Sequence, residues 1–199
     1  MKKLIVATSN PGKLAEMQDY LSDIPCKLAL KPPEIEIEET GTTFRENARL
    51  KAAQTAQALG EWAIADDSGL AVEALKGAPG IYSARYGQTD AARIERLLQE
   101  LADVENRQAQ FICAIAISNP QGEIILQTEG ICPGEILTQP QGKGGFGYDP
   151  IFYVPEMKAT FAEMPAAVKG TISHRGRAFA QLLPNLKALL EKMESSNND

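Results

Sequence analysis

Apolar and polar positions along the chain follow two periods, and the period changes wherever turn residues cluster. Residues 3–8 (KLIVAT) are a short apolar run ending in polar turn residues, which predicts a buried strand. A helix should follow, with Ser9 or Asn10 as N-cap, Pro11 near its first position, and Leu14, Met17 and Leu21 on one face. Residues 34–38 (EIEIE) alternate strictly, which predicts a strand with one solvated face. Thr43-Phe44-Arg45-Glu46 has capping-box spacing and opens a predicted helix through about Leu59. Residues 62–65 (WAIA) predict another buried strand, stopping at Asp66-Asp67-Ser68-Gly69.

Residues 77–87, rich in glycine and aromatics, predict a loop, after which Thr89 or Asp90 caps a helix facing inward through Ile94, Leu97, Leu98 and Leu101. Asn119-Pro120-Gln121-Gly122 between the runs 111–118 and 123–129 is a hairpin signal, and residues 131–137 predict a third strand of that meander. A glycine-rich loop (142–147) and a short strand (151–154) come next. Phe179, Leu182, Leu183, Leu186, Leu190 and Met193 line a predicted C-terminal helix, which Pro184 either restarts or kinks. Residues 195–199 are expected to be a disordered tail. There is no internal repeat and no long linker. Helices and strands alternate early and a hairpin comes late, which predicts a mixed α/β sheet in a single domain over residues 1–194.

Composition narrows the function. With 44% hydrophobic and 23% charged residues, the 199-residue chain has the balance of a globular protein. Its net charge of −6 argues against a sequence-independent nucleic-acid binder, which needs a basic surface. A few well-placed cations still suffice to hold the phosphates of one nucleotide. Cys26, Cys113 and Cys132 are widely spaced, giving neither a disulfide framework nor a zinc motif, and a single histidine excludes a His-rich metal centre. Residues 1–8 are too short for a signal peptide and no apolar run approaches the ~20 residues of a membrane span, so a cytoplasmic protein with no membrane partner is expected.

Four places offer chemistry. In Thr8-Ser9-Asn10-Pro11-Gly12-Lys13 a strand runs into a helix start, where backbone N–H groups and the dipole favour an anion. A cation in the first helical turn, Lys13, implies an anion that compensates it. The segment is no Walker loop, because Ala7 stands where its outer glycine belongs and Leu14 where it needs Ser or Thr. At Asp66-Asp67 successive strand residues point to opposite sides, so one aspartate faces the site. Mg²⁺ needs only one or two protein acids beside phosphate oxygens and water, and Glu38 or Glu39 offers the second. Gly142-Lys143-Gly144-Gly145-Phe146-Gly147-Tyr148-Asp149 combines close backbone approach with aromatic faces for a base. It satisfies G-x-G-x-x-G, yet Asp149-Pro150 and a strand follow where a Rossmann turn requires a helix. Lys169 and Ser173-His174-Arg175-Gly176 precede the last helix, with no G-x-S-x-G elbow to support a serine hydrolase. Together these places supply what a nucleoside triphosphate with Mg²⁺ requires.

The blocks T-S-N-P-G-K, E-E-T-G-T-T-F-x-E-N-A, A-D-D-S-G-L, A-P-G-I-Y-S-A-R-Y, G-G-F-G-Y-D-P and S-H-R-G, in this order from residue 3 to about residue 190, resemble the inosine triphosphate pyrophosphatase family, also called XTP/dITP diphosphatases. The resemblance implies an elongated, mixed, twisted sheet flanked by helices, two lobes with the active cleft between them, and a homodimer. It implies Mg²⁺-dependent hydrolysis of ITP, dITP or XTP to monophosphate and pyrophosphate, removing deaminated purines from the nucleotide pool. By similarity, Thr8, Ser9, Asn10, Pro11, Gly12 and Lys13 would bind the triphosphate. Asp67 would be general base and metal ligand, with Glu38 (or its neighbour Glu39) as second metal acid. Ser68 would touch substrate, Phe146, Gly147, Tyr148 and Asp149 would wall the base and ribose, and Lys169, His174 and Arg175 would complete the site. A nucleotide-sensing protein without turnover is the alternative from another class, and the intact Asp67 and Lys13 count against it.

Overall fold

The computed structural model describes residues 3–195, so the expected tail at residues 196–199 lies outside the described residues. Among the described residues there are seven strands and five α-helices: β1 (Lys3–Val6), α1 (Pro11–Tyr20), β2 (Lys27–Leu30), α2 (Phe44–Leu59), β3 (Trp62–Val72), α3 (Asp90–Glu100), β4 (Gln108–Ser118), β5 (Ile124–Ile136), β6 (Phe152–Val154), β7 (Ala159–Thr160), α4 (Ala166–Ile172) and α5 (His174–Ser195). The strand order is β2-β1-β3-β4-β5-β6-β7. Strand β1 is parallel to β2 and β3, while β6 is antiparallel to β5 and β7, so the sheet is mixed and the α/β class stands.

The chain divides into two compact units. Unit 1 takes the described residues up to Asp67, Cys113–Gly130 and the described residues from Arg177; unit 2 takes Ser68–Ile112 and Ile131–Gly176. In unit 1 the central strands supply Leu4, Val6, Ile64, Ile115 and Ile117 to a core closed by Met17 and Leu21 of α1 and by Phe179, Leu182, Leu186 and Leu190 of α5. In unit 2, Ile94, Leu97 and Leu101 of α3 pack with Phe111, Phe152 and Phe161. Each such buried side chain contributes roughly 1.5–3 kcal/mol of transfer free energy.

Local chemistry sets several boundaries as expected. Asn10 is the N-cap of α1, its Oδ1 accepting from the N–H groups of Gly12 and Lys13 at 2.9 and 3.2 Å. Thr43 caps α2, and Gly60 ends it in the left-handed conformation at φ 63°, which glycine adopts without strain. The Glu46 carboxylate reaches back one residue beyond the cap, to Thr42 N–H at 2.7 Å.

Four expectations are corrected. Residues 34–38 form no strand. Exposure alternates there, but the backbone has no ladder partner, and the Lys31 ammonium takes the carbonyls of Pro32 and Ile35 instead. Strand β2 lies earlier, over KLAL. Strand β3 does not stop at Ala65 but carries Asp66-Asp67-Ser68-Gly69 inside it. The third strand expected at residues 131–137 is the continuation of β5. Finally, α5 runs through Pro184 to Ser195, so residue 195 is helical rather than tail.

Candidate functional site

Because Asp66 and Asp67 are consecutive in a strand, their side chains leave on opposite sides, and the partners of each confirm it. Asp66, with a fully buried side chain, faces α1 and meets Lys13 Nζ at 3.2 Å. Its carboxylate also lies 3.9 Å from the Cys113 thiol. The anion that a cation in the first turn of α1 calls for is therefore Asp66. Thr8 Oγ1 accepts from Asn10 N–H at 3.2 Å, so the turn preceding Lys13 is held by its own side chains.

Asp67 faces α2. The helix buries Asn47, Ala48, Lys51, Ala52, Thr55 and Ala56 on one stripe. The two polar members with long reach meet Asp67: Lys51 Nζ lies 2.8 Å from Oδ1, and Asn47 Nδ2 lies 3.3 Å from Oδ2. The same ammonium lies 3.0 Å from Glu39 Oε1. One cation thus holds two carboxylates together, offsetting their mutual repulsion. Burial is the largest influence on Asp67 and raises its pKa above the ordinary aspartate value, against the opposing pull of Lys51 and Lys13. Burial alone would lower Lys51, but Asp67, Asp66 and Glu39 outweigh it and hold the ammonium above its ordinary value. Glu38 is exposed, whereas Glu39 is half-buried.

Carboxylate oxygens converging on a single cation are the hard-donor chemistry that Mg²⁺ takes. Among the described residues no cluster of three or more acids, histidines or cysteines is arranged around a metal position. Glu39 and Asp67 therefore fit an ion that completes its shell with phosphate and water.

The remaining candidates lie in unit 2. Ser68 Oγ accepts from Arg175 at 2.8 Å, and Arg175 is 1% exposed. His174 is buried with its ring stacked on Phe111 at 4.6 Å. Ser173 Oγ accepts from Gly176 N–H at 3.1 Å and so caps the turn that presents both residues. In the glycine loop, Asp149 Oδ2 accepts from Phe146 N–H at 2.9 Å and from Lys169 Nζ at 2.7 Å. The Lys169 ammonium also stands 4.7 Å from the Phe146 ring centroid. At Gly145, φ is +72° and an added Cβ would stand 1.9 Å from Asp149 Oδ2, so only glycine allows the loop to close on that carboxylate. Gly147 N–H donates to Asp90 Oδ2 at 2.7 Å. Tyr148 is a core residue, its hydroxyl on the Ser83 carbonyl at 2.9 Å, so the half-buried Phe146 is the aromatic of this loop that offers a face.

Sequence reasoning brought Lys13, Asp67, Phe146, Asp149, Lys169 and Arg175 into view but missed Lys51, Asn47 and Asp90. The available signal for Lys51 was its place in the alanine stripe of α2, where a lysine is buried only if paired.

The profile of the Ham1 family matches residues 4–185. A protein named dITP/XTP pyrophosphatase from Nostoc sp. is 64% identical over 95% of this chain and 96% of its own. Another of that name from Synechocystis sp. is 63% identical over 94% of this chain and 98% of its own. The solved structure of a HAM1 protein from Coxiella burnetii is 45% identical and matches with a TM-score of 0.85, covering 96% of this chain and all of the other.

Proposed function

The chain belongs to the Ham1 family, and on that premise we propose that it hydrolyses non-standard purine nucleoside triphosphates, dITP, ITP and XTP, to the monophosphate and pyrophosphate. The names of relatives up to 64% identical support the substrate class. The observation that carries the chemistry is the buried Asp67 carboxylate, coupled through Lys51 to Glu39.

Water attacks the α-phosphorus in line; its new P–O bond forms as the bond to the bridging α–β oxygen breaks. Asp67 takes the proton of the attacking water, and the burial that raises its pKa makes it the better acceptor. Pyrophosphate leaves with its charge facing Lys13 at the start of α1, where the Gly12 and Lys13 N–H groups are held by the Asn10 side chain. Mg²⁺ would be held by Asp67 and Glu39, with Glu38 the adjacent alternative, and when bound it neutralises charge on the phosphate oxygens. Thr8, Ser9, Asn10, Pro11, Gly12 and Lys13 serve the triphosphate. Ser68, Phe146, Gly147, Tyr148, Asp149, Lys169, His174 and Arg175 serve the nucleoside, Tyr148 by shaping the loop from the core. Arg175, a donor only, suits the 6-keto group of hypoxanthine or xanthine and opposes the 6-amino group of adenine. A cytoplasmic homodimer completes the proposal; among the described residues no helix is long and apolar enough to cross a membrane.

The test is kcat/KM for dITP, ITP and XTP against dATP and dGTP with Mg²⁺. The proposal requires the deaminated purines to lead. Preference for a standard nucleotide, or activity undiminished in EDTA, contradicts it.

A further inference from the structure

Gly41 and Asn47 belong to the block that carries Glu39, yet neither has had a part in the chemistry. Asn47 is fully buried on α2, one helical turn before Lys51. Both ends of its amide are used: Oδ1 accepts from Gly41 N–H at 2.8 Å, and Nδ2 donates to Asp67 Oδ2 at 3.3 Å. Chemistry fixes this orientation. A backbone N–H can only donate and an ionised carboxylate can only accept, so the flipped amide would oppose like groups at both ends. Gly41 is matched to the contact, because a Cβ there would stand 2.6 Å from Asn47 Oδ1 and 2.7 Å from Glu46 Cβ.

The two oxygens of Asp67 are therefore held by two residues of different character. Lys51 on Oδ1 is a flexible point charge shared with Glu39, and an arriving polyphosphate competes for it. Asn47 on Oδ2 is neutral and pinned at its other end to the backbone. We propose that Asn47 is a positioning residue that fixes the plane of the Asp67 carboxylate, so that the base keeps its aim when the charges around it rearrange. Its clamp on Gly41, two residues after Glu39, ties the second acid's segment to the same amide. This rests on the reading of Asp67 as general base, which Asp67→Asn tests independently of the variants below.

The test compares Asn47→Ala, Asn47→Asp and Gly41→Ala with wild type in dITP hydrolysis. Asn47→Ala loses both bonds. Asn47→Asp, assayed at mildly alkaline pH where the new carboxyl is ionised, keeps the acceptor for Gly41 but loses the donor to Asp67. Gly41→Ala leaves Asn47 in the chain and pushes its amide aside. The expected result for all three is kcat lower by about tenfold to a hundredfold, the range for a hydrogen bond to a charged group, with KM within about threefold. If Asn47→Ala does not fold, the other two carry the test. Wild-type kcat in Asn47→Asp or Gly41→Ala, or a KM rise at unchanged kcat, overturns the proposal while leaving Asp67 as base.

Discussion

Replacing Lys51 with methionine probes the charge arrangement around Asp67 in energy. The ammonium lies 2.8 Å from Asp67 and 3.0 Å from Glu39, and the Lys51 and Asp67 side chains are only 11% and 9% exposed. At an effective dielectric of 20 each contact has a Coulomb energy of about 5–6 kcal/mol, much of it offset by removing the charges from water. Deleting one partner of a buried pair typically costs ~3–5 kcal/mol. A ceiling applies here, because Asp67 can take up a proton once its cation is gone; at pH 7 this costs at most about 4 kcal/mol, the figure for an ordinary aspartate, and burial makes it less. Methionine keeps the length and the apolar stem, so the loss is chiefly electrostatic. The expected destabilisation of Lys51→Met at pH 7 is about 3–4 kcal/mol.

The sign with pH follows. With the cation gone, burial still holds the folded-state pKa of Asp67 above its unfolded value, so the penalty vanishes once Asp67 is protonated in both states and grows as pH rises. At pH 5 the ceiling is only about 1.5 kcal/mol. Mg²⁺ should restore part of the loss, since a divalent ion between the same carboxylates replaces the ammonium. Urea denaturation of wild type and variant at the two pH values, with and without excess MgCl₂, measures all of this. A loss below about 1 kcal/mol at pH 7, or one that does not shrink in acid, would refute the reasoning.

Asp67→Asn would remove the proposed base and metal ligand together, and kcat should fall at least ~10²-fold; Asp66→Asn changes the charge beside Lys13 and should cost less, so steady-state kinetics giving equal losses would contradict the proposed division of labour between the two faces of β3. Arg175→Ala should cut kcat/KM for ITP sharply while leaving the low value for ATP almost unchanged. If both fall by one factor, Arg175 holds phosphate or ribose rather than the base.

How legible the molecule was in its sequence depended on the range of the interaction. Asn10, Pro11 and Thr43 act within a few residues of themselves, and the helix starts they predict are observed. The alternation in EIEIE reports solvent on one side but says nothing about a partner strand, and none is paired there. In β3 the acidic pair reads as a turn, yet the strand runs on through it past the end of the β1 pairing at Ile64, with a lysine meeting each carboxylate. The site shows the same limit. Asp67 and Lys13 stand at visible boundaries between apolar runs and polar turns, whereas Lys51 and Asn47 gain meaning only when α2 is laid against β3. Tyr148 reads as a stacking surface from its glycine-rich surroundings, but its hydroxyl is spent on Ser83, 65 residues away in the chain.

The central claim, attack of water on the α-phosphorus, is tested most directly by hydrolysing dITP in ¹⁸O-labelled water with Mg²⁺ and analysing the products by mass spectrometry. The account predicts dIMP carrying a single ¹⁸O and pyrophosphate carrying none. Label in the pyrophosphate, or orthophosphate as the first product, would contradict it.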